Sequence, residues 1–565
     1  MNPRTLATSA LLTIFTLVLC SLCACNRPNA SSEEGGTPDT AGFATPQAPA
    51  LEKSLGPPSM AAQVEPASSN VAGKQAPPSP ARFKVALHAL TVSNPRVLRD
   101  LDLREVSRLE LTLHPDDTAT RLAAGLSPPP EDACSALDLW MLAERATSLT
   151  HLTISGCGDR LRAGFGVLGN RIQTLRISDL EVDPVLAGRL AEMTSLVEIS
   201  LSRFTVKNHV AVSVALAPAS FSAVTLLEAP THAIQILRSV SPRIQRLRLE
   251  GAWVTPDTLR DLSILHRIRA LSLIGTGVTN AGLANVQRLK SLASLELEEE
   301  SVNDLSPLYL RELPLTSLTC RCDKLGDTGA RHLAKLSSLQ RLTLEGSRLS
   351  PDGVQSLAKL TTLTELKLTI EAITSAAIDS IATLPGLERL WVESSGPRNA
   401  SFAGLASAEK LRSLTLRIPE LDDALIPTIN RLQNLHVLDL RGTSISDRGL
   451  LRLTSLPKLQ RLNLGGTRVS RSGFQSIGAL GALESLDLSS TDVVDEAIRA
   501  LSPLHHLRSL NLRGTLVTSD SLEILALMAS LEGLDTQHTA IPESQVTARL
   551  PTVLPNATYT PSTAQ

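Results

Sequence analysis

The sequence predicts an α/β solenoid of about eighteen stacked coils, each a short strand followed by a helical return, with every strand parallel to the next. The first observation behind this is a fixed period. Leu438, Leu462, Leu486, Leu510 and Leu534 are each 24 residues apart, and the same step taken backwards lands on Leu414, Leu390, Leu366, Leu342 and Leu318. The register then slips by one residue to Leu295, resumes through Leu271 and Leu247, and continues with small shifts to Val224, Ile199, Leu175 and Leu152; an outlying unit begins at Leu109. The second observation is a change of periodicity inside each unit. Leu438 and Leu440 alternate with Val437, Asp439 and Arg441, as in a strand with one buried face, whereas Leu450, Leu453 and Leu456 recur every third residue, as in a short helix or 3₁₀ stretch. The third is composition: aromatics make up 2% of the chain while Leu abounds, which suits a repetitive aliphatic core.

Taken in chain order, residues 1–25 read as an export signal, with Arg4 in a thin positive region, an apolar stretch from Leu11 to Leu19 and a small-residue ending. Leu22, Cys23, Ala24 and Cys25 resemble a bacterial lipobox, which implies that Cys25 is the lipidated residue of the mature chain and that the anchor is a membrane lipid. By the same resemblance, Asn26 favours the outer membrane; a secreted, periplasmic or inner-membrane-anchored protein is the alternative. Residues 26–81 are rich in Pro, Ala, Ser and Gly and cannot bury enough apolar surface to fold, so they are expected to be a disordered tether reaching about 40 Å. Residues 82–108, where Phe83, Val85 and Leu87 alternate, are expected to cap the N-terminal end of the solenoid. The solenoid itself is expected over 109–550, with 551–565 as a disordered tail.

Within the units, Thr443, Thr467, Thr491, Thr515 and Thr539 occupy the bend after the strand, where a hydroxyl can satisfy the turning backbone. Ser446, Ser470, Thr255, Thr279, Ser350 and Thr518 stand before the helical stretch as candidate N-caps, with Pro256 and Pro351 at the first helical position. The pattern resembles the leucine-rich repeat family, most closely the bacterial LxxLxLxGTxVTDxGL type, in "LNLGGTRVSRSGFQSIGAL" and "LSLIGTGVTNAGLANVQRL". The resemblance covers roughly residues 105–550. It implies a curved parallel sheet on a concave side, short helices on a convex side, and recognition of macromolecules by the sheet. Eighteen strands would make an arc of about 80 Å.

The 11 His are scattered, and no Gly-rich phosphate loop, GxSxG elbow or HExxH helix is present, so no catalytic set, metal site or cofactor is expected. A formal charge of −2 gives no net basic field for nucleic acid. Cys157 stands where the bend Thr stands elsewhere, and Cys134 falls beside it one coil earlier; the residues leave open whether these two are bonded or merely small and buried. Cys320 takes a core leucine position, and Cys322 is expected to lie too far along the same strand to bond with it.

The outward strand positions are the candidate binding surface. They include Arg341 and Glu345, then Glu365 and Lys367, then Arg389, Trp391 and Glu393, then Arg417, and finally Asp439 and Arg441. Trp391 reads either as an exposed anchor for a partner or as a ring lying flat over Lys367 or Arg389 to shield the sheet. Glu296 and Glu298 form a second acidic patch on this face, with Glu299 and Glu300 at its rim. The function expected is therefore non-enzymatic binding of a protein partner at the cell envelope, without a small-molecule substrate. A glycan or cell-wall binding module is the alternative, which would predict several aromatics along the strip. An enzyme is a distant third, since it would need a grafted domain, and the lipobox argues against an analogue of F-box substrate receptors.

Overall fold

In a computed structural model of the protein, residues 171–396 and 401–542 are described almost continuously, together with 89–92, 558–560 and most of 103–112 and 144–155. Residues 1–88, and with them Cys25, the export signal and the tether, lie outside the described residues, as do Cys134 and Cys157.

The described residues contain one sheet of twenty strands. These are β1 (Ala89–Val92), β2 (Arg108–Thr112), β3 (His151–Ser155), β4 (Thr174–Val182), β5 (Glu198–Val206), β6 (Ala223–Leu227) and β7 (Arg246–Glu250). They continue as β8 (Ala270–Ile274), β9 (Ser294–Glu298), β10 (Ser317–Arg321), β11 (Arg341–Ser347), β12 (Glu365–Ala372), β13 (Arg389–Ser395) and β14 (Ser413–Arg417). The last are β15 (Val437–Asp439), β16 (Arg461–Asn463), β17 (Ser485–Asp487), β18 (Ser509–Asn511), β19 (Gly533–Asp535) and β20 (Thr558–Thr560). Neighbours in sequence are neighbours in the sheet and all pair in parallel, so the chain advances one strand per coil. The eighteen predicted units correspond to β2–β19.

The register follows the leucines. Leu342 faces Leu366, Leu366 faces Leu390, and Leu438 faces Leu462, so each column stacks on itself and is almost fully buried. Burying one such side chain is worth about 1.5–3 kcal/mol, and short helices such as Pro351–Leu357 close the other side of the core with Val354 and Leu357. The bend threonines act as expected: the hydroxyls of Thr443, Thr467 and Thr515 donate to the carbonyls of Leu440, Leu464 and Leu512 at 2.6–2.7 Å.

The caps are organised differently from the sequence expectation. Thr255, Ser350 and Ser446 do accept from backbone N–H groups of the helices they precede. Thr279 makes no such bond, and Ser470 precedes a helix, Phe474–Gly478, capped at Gly473. A second set of bonds comes from an aspartate one coil earlier. Asp423 accepts from the N–H and hydroxyl of Ser446, Asp447 from those of Ser470, and Asp495 from those of Thr518, with N–H distances of 2.8 Å. The Asp of the repeat thus ties its own coil to the next.

Strand length changes along the solenoid for a local reason. β4 and β5 run for 9 residues each, whereas β15–β19 have 3 each. In the short strands an Asp or Asn follows the inward leucine and accepts from the backbone N–H two residues on, as Asp439 does from Arg441 and Asn463 from Gly465. This Asx turn pulls the chain out of the ladder early.

Other expectations are corrected. The strand that pairs with β2 on its N-terminal side is Ala89–Val92, while Phe83–Leu87 lie outside the described residues. The segment 551–565, expected as a disordered tail, contains β20, which pairs with β19. Pairing there satisfies the edge that the last leucine strand would otherwise present. Glu299, expected at the rim, is 3% exposed and accepts the N–H groups of Thr276 and Gly277 at 2.7 and 2.8 Å, which compensates its burial. Finally, Cys320 and Cys322 are joined by a disulfide. Cys322 sits past the end of β10, where the chain already bends, and this brings the Cα atoms to 5.4 Å, closer than a straight strand allows.

Candidate functional site

Alternation along each strand sends every second side chain to the open side of the sheet, away from the helices. On β8–β15 these side chains bond from strand to strand in one row. Ser272 donates to Glu296 at 2.8 Å, and Arg321 donates to Glu296, Glu298 and Glu345 at 3.2, 3.0 and 2.8 Å. The other oxygen of Glu345 takes Lys367 at 2.7 Å. The Lys367 ammonium lies 4.5 Å from the centre of the Trp391 ring, and the Arg417 guanidinium, from the strand beyond, lies 4.6 Å from it. Arg417 then reaches Asp439 at 3.0 Å. Eight adjacent strands are crossed, which is about 34 Å at the parallel-strand spacing.

The electrostatics follow from the contacts. Burial works to raise the Glu345 pKa, but hydrogen bonds from Lys367 and Arg321 outweigh it and hold the carboxyl below its ordinary value. The Arg321 guanidinium is held above its usual range, chiefly by its bond to Glu345. Single exposed pairs are worth about 0.2–1 kcal/mol each, so the row gains mainly by being a network.

The structure brings Glu345, Lys367, Trp391, Arg417 and Asp439 together in this row. Glu365 and Arg389 form a separate pair at 2.6 Å, while Arg341, Glu393 and Arg441 are exposed at the margins. Trp391 is half-buried, clamped by Lys367 and Arg417 rather than Arg389, and its indole Nε1 is buried without a hydrogen-bond partner. Thr415, beside it in register, is 5% exposed although it points to the open side. Asp439 has two structural duties, to the Arg441 backbone and to Arg417. Arg321 is the residue that sequence reading missed. Its signal was available, because alternation from Leu318 places it outward between two acidic strands.

Among the described residues no group of three or more His, Cys, Asp or Glu side chains is placed to hold a metal ion. Nor is any described helix long and apolar enough to cross a membrane.

The chain has a leucine-rich repeat fold, and its residues 227–473 match the family model described as a leucine-rich repeat region. Among solved structures it is similar to the protein of the TLR13–ssRNA13 complex, at 16% identity and a TM-score of 0.50 over 81% of this chain and 70% of that one. It is also similar to an internalin from Listeria monocytogenes, at 18% identity and a TM-score of 0.36 over 72% and 95% of the two chains. A third likeness is to the Leptospira interrogans leucine-rich repeat protein LIC12759, at 16% identity and a TM-score of 0.38 over 75% and 98%. A search of curated proteins found no match. The fold commonly mediates protein binding and is typically a non-enzymatic scaffold.

Proposed function

We propose that the protein is a non-catalytic binding module, anchored at the cell envelope through a lipid on Cys25, that recognises a protein partner on the open face of its sheet. The observation that carries this reading is Trp391. It is the one aromatic side chain on the open face among the described residues, and its indole N–H is left without a partner at the centre of an ordered charged row. A ring fixed in place by flanking cations loses little freedom on binding, which suits it as an anchor surrounded by charged residues.

A single aromatic gives less support to the glycan-binding alternative, which would use several along the strip. The ssRNA13 of the TLR13 complex belongs to that protein; here the row alternates in sign, so it offers no continuous basic track for a phosphate backbone.

The test is a proximity-crosslinking survey on intact cells with the full chain. Trp391→Ala should cut recovery of the crosslinked protein partner about tenfold or more while the folded chain remains at the membrane. Cys25→Ala should move the chain to the soluble fraction. Undiminished recovery with Trp391→Ala would remove the open face from the proposal, and continued membrane retention of Cys25→Ala would remove the lipid anchor.

A further inference from the structure

We infer that the Cys320–Cys322 bond is a reversible thiol–disulfide exchange site for a dithiol reductant, entered through a notch at the bend edge of the solenoid, and that its state sets the position of Arg321. This inference does not rest on the proposed function.

The bond closes a ring around a single residue, Arg321. Such a small loop removes little chain entropy from the unfolded state, so a stabilising role is the weakest explanation for it. The main-chain pairing of β10 with β9 and β11 does not need the bond, which instead constrains the bend that begins after Arg321. Cys320 aligns with Leu297 and Leu344, both fully buried apolar residues, so a free thiol there would sit as a small apolar group. Both redox states therefore fit the core.

Both cysteines are buried, Cys322 at 1% and Cys320 at 4% exposed, but they differ in what they face. Cys322 lines a cavity of about 910 Å³ bounded by the bends of five coils, whereas Cys320 lies inside the strand. The cavity opens where the repeat is irregular. Only 23 residues separate Leu295 from Leu318, and Glu299 and Cys322 occupy the bend position that is left-handed in coils such as those of Gly275 and Gly346. Exposed Glu298 and Glu300 contribute to the cavity wall, as do exposed Arg321, Asp323 and Lys324.

In the exchange, one thiolate of the dithiol attacks Cys322 Sγ and the Cys320–Cys322 bond breaks, leaving Cys320 as a thiolate that takes up a proton. The second thiol of the reductant, as its thiolate, then attacks the mixed disulfide. Cys322 is released and protonated, and the reductant leaves as a disulfide, so two electrons and two protons have been transferred. Without the bond the Cα atoms of 320 and 322 can separate from 5.4 Å toward the roughly 6.6–7 Å of extended chain. Arg321 lies between them and holds Glu296, Glu298 and Glu345, so the redox state is transmitted to the open face.

The experiment equilibrates the full, folded chain in dithiothreitol buffers of increasing reducing strength, alkylates it, and quantifies the 320–322 peptide by mass spectrometry. The expected result is complete, reversible interconversion of bridged and doubly alkylated forms, with the unfolding temperature moving by no more than about 3 °C. A pair that never bridges in oxidising buffer, or that is reduced only in denaturant, would overturn the inference. The route is tested with cysteamine and mercaptoacetate, each rate normalised to its rate on free cystine. The acidic rim should favour the cationic thiol about threefold or more at low salt, and Glu300→Gln should reduce that preference. Equal normalised rates for the two thiols would overturn entry through the notch.

Discussion

A methyl group built on Gly449 would lie 2.2 Å from Oδ1 of Asp423, and one on Gly353 would lie 2.1 Å from Oδ1 of Asp327. The glycine of the DxGL motif is thus needed for more than its turn: it leaves room for the aspartate of the preceding coil, which must come close to cap the next helix. In an ordinary helix Gly→Ala stabilises by about 1 kcal/mol, but Gly449→Ala is expected to destabilise by about 1–3 kcal/mol, because the carboxylate is forced off its capping position. With Asp423→Ala already present, Gly449→Ala should become neutral or stabilising, and urea midpoints of the two single variants and the double variant measure this. Simple additivity would contradict the proposed contact. In the sequence these glycines look like turn residues, because the atom that fixes them is a coil away and local pattern carries no trace of it. Trp391 shows the same limit. Alternation placed it on the open side beside Lys367, but did not show that Arg417, from the strand beyond, is the second cation that clamps it.

At the scale of the element, the inter-coil caps make stability depend on pH. Burial tends to raise the pKa of Asp447, but hydrogen bonds from the Ser470 hydroxyl and N–H and from Ser472 prevail, and it lies below the ordinary value of 3.8. Asp495 is lowered in the same way by Ser521 and Thr518, against the opposing effect of burial. The folded state therefore binds these protons less tightly than the unfolded chain does. Their contribution is fully present above the unfolded value and is lost as pH falls through the lowered folded value. Urea unfolding between neutral pH and about pH 2.5 should show the wild-type chain losing more stability than Asp447→Asn or Asp495→Asn, whose caps do not titrate; parallel slopes would contradict the assignment. The strands and their inward faces were legible from the period of two, and the bend threonines from their column. The aspartates were not, because in the sequence they resemble ordinary first-turn helix residues. Strand lengths were also hidden, because Asp439 and Asn463 look like outward strand residues until their turns are seen.

For the whole molecule, equal spacing of leucines translates into one strand of advance per coil, and the near-neutral charge divides into a local row of paired opposites. One departure from that spacing, between Leu295 and Leu318, coincides with the buried Glu299, the disulfide and the notch, so this irregular unit gives the solenoid individual features. The spacing was readable from the chain alone. Its consequence was not, since a one-residue deletion shows that something changes and not which side chains turn inward. The central claim, one strand per coil, is tested most directly by a single distance. Spin labels on Ser317 of β10 and Ser485 of β17 stand in the same column seven strands apart. Double electron–electron resonance should give one peak at about 30–35 Å, the sum of seven parallel spacings less a little for curvature. A main peak below about 20 Å, or no defined peak, would show that the coils do not stack in chain order.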